Sequence, residues 1–251
     1  MSKITVLRDI QKKKQGGLIL ETSPKEAIAV LRKGNQKKYI NQSPKSCVDE
    51  MTIKDDEHMI EPHIILDLER SVTFLSGESG GGKTLLSSIF LQQYLNRYKS
   101  RKAYYVCATN KDHDINLAPI KNLVQLPTEN IDEITIEEIK DTIVLIDDTD
   151  FHPDHKKIMK FLNMIVETGR KFGCSLIYSS HIHSKLSESP IYKEVKLYVT
   201  FPDSLQNNRM LSTHLKIPEP IIQSLLPQDC AFIAFNKIYR SIITDKMVFK
   251  Y

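Results

Sequence analysis

Cysteine is scarce in this 251-residue sequence, and the spacing of the cysteines excludes two common kinds of site. The four of them, Cys47, Cys107, Cys174 and Cys230, lie far apart and form no C-x-x-C pair. Structural zinc sites and the disulfide frameworks of small secreted domains both need closely spaced or paired cysteines. The pattern therefore indicates buried, reduced thiols in a cytosolic setting.

Long hydrophobic runs are also missing. No apolar run reaches the roughly 18 residues of a membrane-spanning helix, and residues 1–15, MSKITVLRDIQKKKQ, lack the apolar core of a signal peptide. No membrane span is therefore expected. Apolar residues make up 41% of the chain and charged residues 26%, which is ordinary for a soluble globular protein. The length favours one α/β domain with an appendage.

A strong net charge is absent too, but the charge of +4 is unevenly distributed. Residues 1–45 contain eleven Lys and Arg against three Asp and Glu, whereas residues 46–61 contain one Lys against six acids. The basic segment suits contact with nucleic acid or with an acidic partner. It is equally compatible with a solvated surface, and both interpretations stay open.

The organisation of the chain changes near residue 63. Residues 1–62 are predicted to be a basic N-terminal extension and an acidic linker, and SPKEAIAVLRKG (residues 23–34) has the capping residues of a helix. In residues 63–251, short β-branched apolar runs alternate with segments predicted to be helices, at residues 83–98, 135–140, 154–171, 203–213 and 219–226. This alternation predicts one α/β domain with a mostly parallel sheet and helices on both faces. Residues 230–251 predict a β-hairpin that ends in an edge strand.

Glycine is scarce as well, with nine residues, yet four of them lie within residues 77–82. The segment GESGGGKT matches the Walker A motif, or P-loop, at every fixed position, between an apolar strand and an apolar-faced helix. Glycine lets such a loop wrap a phosphate with its backbone N–H groups. Lys83 is expected to face the β- and γ-phosphates, and Thr84 is expected to bind Mg²⁺. The predicted ATP-binding residues are Gly77, Glu78, Ser79, Gly80, Gly81, Gly82, Lys83 and Thr84.

A second motif, TIVLIDD, supplies the carboxylate that a P-loop site needs for Mg²⁺ and corresponds to Walker B. Asp147 ends an apolar run and is predicted to hold the metal together with Thr84. Asp148 has no obvious metal role, so it is predicted to orient or deprotonate the attacking water. The alternative is that Asp148 only caps the next helix. The pair favours hydrolysis of ATP over simple binding.

Polar residues also end the strand CSLIYSS, where Ser180 and His181 are candidate sensors of the γ-phosphate. This prediction requires that the strand lie between the phosphate-binding strand and the metal-binding strand. His181 and His183 form an H-x-H pair, but no third metal ligand is evident beside them. The segment FHPDHKK (residues 151–157) is better explained as the start of a helix than as a metal site.

Together these motifs resemble the additional-strand P-loop ATPases of the FtsK–HerA superfamily, which have a RecA-like fold. Within it they are most similar to the poxvirus-type genome-packaging ATPases of large double-stranded DNA viruses. The resemblance covers residues 63–251 and includes ETGRKFGCSLIYSSH (residues 167–181). There the superfamily has an arginine, a glycine and a strand ending in Thr-Gln. Arg170 falls on the arginine, Ser180 on the Thr and His181 on the Gln.

The resemblance implies an ATP-driven motor that moves double-stranded DNA into a preformed capsid as a ring of identical subunits. It implies a capsid or portal protein as partner, and a place in the cytoplasm or viral factory of an infected cell, or in the virion. In a ring, Arg170 is expected to face the γ-phosphate of the neighbouring subunit. The alternative is that Arg170 only interacts with the C-terminal end of its own helix. Lys111 and Lys121 are candidates for contacts with DNA phosphates. The superfamily often has Asp-Glu where this chain has Asp147-Asp148, and usually Gln where it has His181.

Other classes of protein stay open on the motifs alone. One is a P-loop ATPase without DNA translocation. A small-molecule kinase also has a P-loop, but it usually needs an arginine-rich lid, and no such insertion follows the fourth strand. A nucleotide-binding structural subunit would hold ATP without hydrolysing it. An ABC-type ATPase is excluded, because LSGES (residues 75–79) runs straight into the P-loop and no separate copy of that signature exists.

Overall fold

The computed structural model describes residues 4–8, 17–21, 27–43, 48–53, 55, 57–64, 70–181, 190–202, 209–213, 215–225 and 230–251. Its strands are β1 (Ile4–Arg8), β2 (Gly17–Glu21), β3 (Ala27–Lys33), β4 (Gln36–Ser43), β5 (Val48–Ile53), β6 (Met59–Pro62), β7 (Val72–Ser76), β8 (Ala103–Val106), β9 (Leu123–Gln125), β10 (Ile143–Asp147), β11 (Ser175–Ser180), β12 (Leu197–Thr200), β13 (Ile233–Asn236), β14 (Ser241–Thr244) and β15 (Met247–Lys250). Its α-helices are α1 (Lys83–Arg97), α2 (His155–Thr168), α3 (Ile191–Glu194), α4 (Arg209–Thr213) and α5 (Glu219–Leu225).

The larger sheet has eleven strands in the order β1-β5-β15-β14-β13-β12-β7-β11-β10-β8-β9. The six strands from β12 to β9 are parallel and form the ATPase-like part of the sheet. Strand β11 lies between β7, which leads into the glycine-rich loop, and β10, which ends at Asp147. The additional-strand arrangement predicted from the motifs is therefore confirmed.

Helices cover both faces of this parallel part, because alternate residues of each strand point to opposite sides. On β10, Val144 and Ile146 belong to the core that contains α2, whereas Ile143 and Leu145 belong to the core that contains α1. All these side chains are fully buried. Strands covered on both faces have no polar side, which is why their sequences are continuously apolar. The predicted fold class is confirmed.

Antiparallel strands extend the same sheet beyond β12. The predicted C-terminal hairpin is present as β13 and β14, and β15 pairs next to it. The prediction that the chain ends in an edge strand is wrong, since β15 pairs with β5 and β5 pairs with β1. The acidic stretch expected to be a linker thus contributes two strands, β5 and β6. A linker assignment fails here because β15 offers β5 an unpaired edge.

A second sheet of four antiparallel strands, in the order β2-β4-β3-β6, packs on the outer side of α1. Its strand β3 occupies the segment in which capping residues predicted a helix, so that prediction is wrong. Residues 27–31 are all buried in β3, and pairing with β4 and β6 satisfies the backbone on both sides. Capping signals are local, and this long-range pairing outweighs them.

The remaining helix predictions had mixed outcomes. Helices predicted over residues 83–98 and 154–171 are confirmed as α1 and α2, the latter continuing as a short 3-10 helix. The helix predicted over residues 135–140 is wrong, since residues 136–140 form turns. The helix predicted over residues 219–226 is confirmed as α5. Of the predicted helix over residues 203–213, only α4 lies in the described part of the chain. His183 lies outside the described residues.

Candidate functional site

The glycine-rich loop joins the carboxyl end of β7 to the first residue of α1, as a P-loop requires. Gly80 and Gly82 adopt φ values of 79° and 98°, in the left-handed region that favours glycine. A Cβ on Gly77 would lie 2.5 Å from a ring carbon of Phe201, which packs beneath the loop at the end of β12. The tops of the loop, Glu78 to Gly81, are exposed to solvent. The loop therefore packs against the Phe201 ring on one side and is exposed to solvent on the other.

Lys83 is buried at the start of α1 and folds back against the loop. Its ammonium group donates hydrogen bonds to the carbonyl oxygens of Gly77 and Glu78, at 2.8 and 2.7 Å. Nδ1 of His181 lies 3.2 Å from the same nitrogen. Burial lowers the pKa of Lys83, although neighbouring aspartates oppose this shift. A phosphate bound at the loop would replace these acceptors around the Lys83 ammonium group. Its negative charge would offset the loss of solvation that lowers the pKa of Lys83.

Thr84 and Asp147 meet beside the loop, where the threonine hydroxyl donates to Oδ2 of Asp147 at 3.0 Å. Oδ1 of Asp147 is buried and has no hydrogen-bond partner among the described residues. Burial raises the pKa of this carboxyl group. A divalent cation fits here, because it would take up the orphaned oxygen and favour the charged carboxylate. The two residues predicted to hold Mg²⁺ are thus in contact.

Asp148 follows in an unusual backbone conformation, with φ of 52°. Aspartate tolerates this left-handed region better than most side chains. Its half-exposed carboxylate lies 2.6 Å from Nε2 of His181, which comes from the neighbouring strand. Nδ1 of His181 lies 3.1 Å from the Gly77 carbonyl and close to Lys83, so it either donates to the former or accepts from the latter. His181 therefore links the candidate base to the P-loop.

Asp150 is a buried member of the site that the sequence reasoning missed. Its carboxylate accepts the Ser180 hydroxyl at 2.9 Å and the backbone N–H of His181 at 2.8 Å. Asp150 is the third acid of the segment LIDDTD, so the sequence does show an acidic residue near the site. Nothing in its local sequence indicates that it contacts Ser180, thirty residues later. Ser180, a predicted sensor, is held by Asp150 at the end of β11. Through this contact Asp150 fixes the position of His181.

Arg170 lies at the opposite edge of the sheet, in the 3-10 helix Gly169–Phe172 before the first residue of β11. Its side chain is exposed, and no ion pair is recorded for it in the described residues. The alternative role considered for it, capping the end of α2, belongs to another arginine. Buried Arg70 donates to the carbonyl oxygens of Ile165, Val166 and Cys174 at 2.9–3.0 Å. The structure therefore separates Arg170 from the P-loop of its own chain.

The other candidates lie on the surface. Lys121 is exposed on the segment after β8, and the backbone of Lys111 lies in a short 3-10 helix of that segment. In the segment of residues 151–157, His155 contacts the carbonyl of Thr149 and His152 accepts the backbone N–H of Asp154. Within the described residues, no group of three or more His, Cys, Asp or Glu is arranged to hold a metal. No helix in that part of the chain is long and apolar enough to cross a bilayer.

Comparisons with known proteins agree with the fold. The genome packaging NTPase B204 of Sulfolobus turreted icosahedral virus 2, solved with ATPγS, is 16% identical with a TM-score of 0.50, and the match covers 71% of this chain and 98% of that one. The secretion ATPase EccC of Thermomonospora curvata is 11% identical with a TM-score of 0.52, covering 74% of this chain but 37% of that one. These likenesses confirm a P-loop NTPase fold.

A sequence relative is known as well. The uncharacterized protein V3 of the Sputnik virophage is 23% identical over 227 residues, which is 87% of this chain and 91% of that protein. No protein-family profile matches the chain. The resemblance to viral packaging ATPases drawn from the motifs is thus in keeping with both a viral relative and a viral structural neighbour.

Proposed function

We propose that this chain is a Mg²⁺-dependent ATPase of the FtsK–HerA superfamily that moves double-stranded DNA, in the packaging of a viral genome into a preformed capsid. The observation that carries the proposal is the convergence of Lys83, Thr84, Asp147, Asp148 and His181 at the carboxyl ends of three adjacent parallel strands. Three separate segments supply these groups. A chance glycine-rich turn would not bring them together.

ATP binding begins with Lys83. Each hydrogen of its ammonium group already has an acceptor within reach, namely the carbonyls of Gly77 and Glu78 and Nδ1 of His181. In this proposal phosphate oxygens replace these acceptors, while the backbone of residues 77–82 and the start of α1 bind the anion. Thr84 and Asp147 would hold Mg²⁺, which would neutralise part of the phosphate charge.

Hydrolysis then needs a group that orients water, and Asp148 is the candidate. It is half exposed, beside the loop, and bonded to His181 rather than to the metal ligands. His181 holds the side chain of Asp148 and lies close enough to the loop to respond to a γ-phosphate. Ser180 and Asp150 act as positioning residues, because they hold the strand end from which His181 projects.

A ring of identical subunits completes the proposal. Arg170 is exposed at the edge of the sheet opposite the P-loop, which supports a role at the site of a neighbouring chain over a role at its own. An arginine supplied in this way stabilises the charge that develops on the transferred phosphoryl group. Double-stranded DNA and a capsid or portal protein are the proposed partners.

The test is ATP turnover by the purified chain with Mg²⁺, with and without linear duplex DNA, alongside the mass of the assembly. We expect turnover that duplex DNA stimulates, and loss of turnover in Lys83→Ala, since that variant lacks the charge facing the phosphates. If duplex DNA does not change ATP turnover even at low salt, the chain is an ATPase that does not translocate DNA. Phosphoryl transfer to an acceptor would identify a kinase, and binding without turnover would identify a structural subunit.

A further inference from the structure

A cleft lies between the β3–β4 hairpin and the C-terminal end of α1, far from the P-loop. Its volume is 220 Å³, and its walls include Arg32, Lys37, Tyr39, His63, Gln93 and Arg97. Among the residues that the structure describes, no Asp or Glu lines it. Liquid water occupies about 30 Å³ per molecule, so the cleft holds several waters, or a phosphate group with part of a sugar. Three cationic side chains and no acid make it an anion site in composition.

The pairing of the surrounding cations supports this assignment. Arg32, Lys33 and Arg101 each have an acidic partner, which is Glu61, Glu57 or Asp141 respectively. Lys37 and Arg97 line the cleft, and no ion pair is recorded for either among the described residues. Solvated lysines and arginines need no partner, but of the three cations that line the cleft only Arg32 has an acidic partner recorded among the described residues. An anion in the cleft would complete the pattern of pairing.

The inner wall is neutral. Burial lowers the pKa of His63 to about 4, and the charge of Arg97 adds to this effect. The imidazole is therefore uncharged at neutral pH, with Nδ1 donating to the carbonyl of Ile64 at 2.9 Å. The Tyr39 ring meets it edge-on, with the ring centroids 6.0 Å apart. Positive charge thus comes from the two exposed side chains at the rim, Lys37 and Arg97.

The floor of the cleft is fixed to both parts of the molecule. Gln93 on α1 accepts the backbone N–H of Ile64 at 2.8 Å and donates to the carbonyl of Pro62 at 3.2 Å. These bonds join the helix to the end of β6. Helix α1 has 15 residues, so about 21 Å separates its first residue at the P-loop from its last at the cleft. The cleft is therefore a second site, on the same helix as the ATP site.

We infer that this cleft binds a backbone phosphate of duplex DNA, an inference that rests on the proposed function. The rim cations are exposed, so an extended polyanion can lay one phosphate against them without entering the protein. Such contacts bind DNA without reading its sequence, as a packaging motor needs.

The experiment uses the full chain carrying Lys37→Gln and Arg97→Gln together. We expect the slope of log affinity for duplex DNA against log salt to fall by about one to two, since each cation removed releases about one counterion fewer. Lys37→Gln alone removes one cation from the hairpin surface and should lower this slope by about one. Basal turnover without DNA should stay at the wild-type rate. Lys140→Gln with Lys156→Gln removes the same charge from other exposed positions and should leave the slope unchanged.

Each outcome bears on one claim. Equal slopes in the cleft variant and the matched control would overturn the site, even if DNA still stimulates turnover. Turnover that ignores DNA, combined with a slope that depends on Lys37 and Arg97, would instead overturn translocation and keep the site. Nucleotide binding that persists in Lys83→Ala and disappears when Lys37 and Arg97 are also changed would assign the cleft to free nucleotides and overturn the assignment to DNA.

Discussion

The two ends of the same three strands, β7, β10 and β11, carry different kinds of polar residue. At the carboxyl edge the strands end in Ser76, Asp147 and Ser180, and the groups there contact each other across strands. At the amino edge lie two arginines with contrasting environments: Arg70 is buried and Arg170 is exposed. A strand of six residues spans about 20 Å, so the two edges cannot share one bound phosphate.

This contrast separates what one chain does alone from what needs a second chain. At the carboxyl edge four of the predicted residues pair within the same chain, Thr84 with Asp147 and His181 with Asp148. At the amino edge Arg70 donates to three backbone carbonyls and also pairs with Glu194 at 3.5 Å. Arg170 is therefore the residue of this pair that is available to another molecule, and the two arginines make a matched test.

The largest expected effect is that of Arg170→Ala on ATP turnover. If Arg170 faces the γ-phosphate of the neighbouring subunit, turnover should fall by about 10³–10⁵-fold. Nucleotide binding should persist, because Lys83 and Thr84 are untouched. Lys171→Ala, which removes the adjacent exposed cation, is the control and should retain turnover. A steady-state ATPase assay on the assembled protein measures both.

Mixing separates action between chains from action within one. Arg170→Ala and Lys83→Ala should each be inactive alone. A mixture should recover part of the turnover, because some interfaces then pair an intact P-loop with an intact arginine from the adjacent chain. No recovery in assemblies shown to be mixed would contradict a role for Arg170 at the neighbouring site.

At the carboxyl edge, Asp148→Asn should lower turnover by about 10²–10⁴-fold while Mg·ATP stays bound, since a water-orienting group acts in the chemical step. Asp150→Asn is the matched control, because it removes a carboxylate two residues away that faces Ser180 and the His181 backbone. We expect its turnover to exceed that of Asp148→Asn and its thermal stability to be lower. If the two variants rank in the reverse order, the roles of Asp148 and Asp150 have been exchanged.

Local patterns predicted the part of the molecule that depends on local structure. The P-loop lies within eight consecutive residues. Its glycines indicate positions where the backbone adopts a positive φ, as Gly80 and Gly82 do. The apolar run before Asp147 reports a strand covered on both faces. Hence the glycine-rich loop and the strand that ends at Asp147 were predictable from local sequence. The position of β11 between β7 and β10 was an expectation from the resemblance to a known superfamily.

Contacts between distant segments were not predictable in this way. Asp150 meets Ser180 thirty residues later, and Arg70 caps α2 across about a hundred residues, so neither role is visible in its own neighbourhood. The pairing of β5 with β15 has the same character. For β3, local capping signals favoured a helix while two partner strands favoured extension, and the pairing prevailed.

The smallest expected effect completes the comparison at the amino edge. Arg70→Met keeps most of the buried volume but removes the donors to Ile165, Val166 and Cys174. Because carbonyls at a helix end then lose their partners, we expect the free energy of unfolding to fall by about 1–3 kcal/mol. The melting temperature should fall by about 2–4 °C for each kcal/mol.

Arg70→Lys should fall between wild type and Arg70→Met, since one ammonium cannot reproduce the planar fork that contacts three carbonyls. Arg170→Met should change stability by less than about 0.5 kcal/mol, because an exposed side chain leaves no buried group unpaired. Thermal unfolding of the three variants, with turnover measured well below the melting temperature, tests the assignment. An Arg70→Met protein that melts like the wild type but loses turnover would place Arg70 in the reaction. The division of roles between the two arginines would then be wrong.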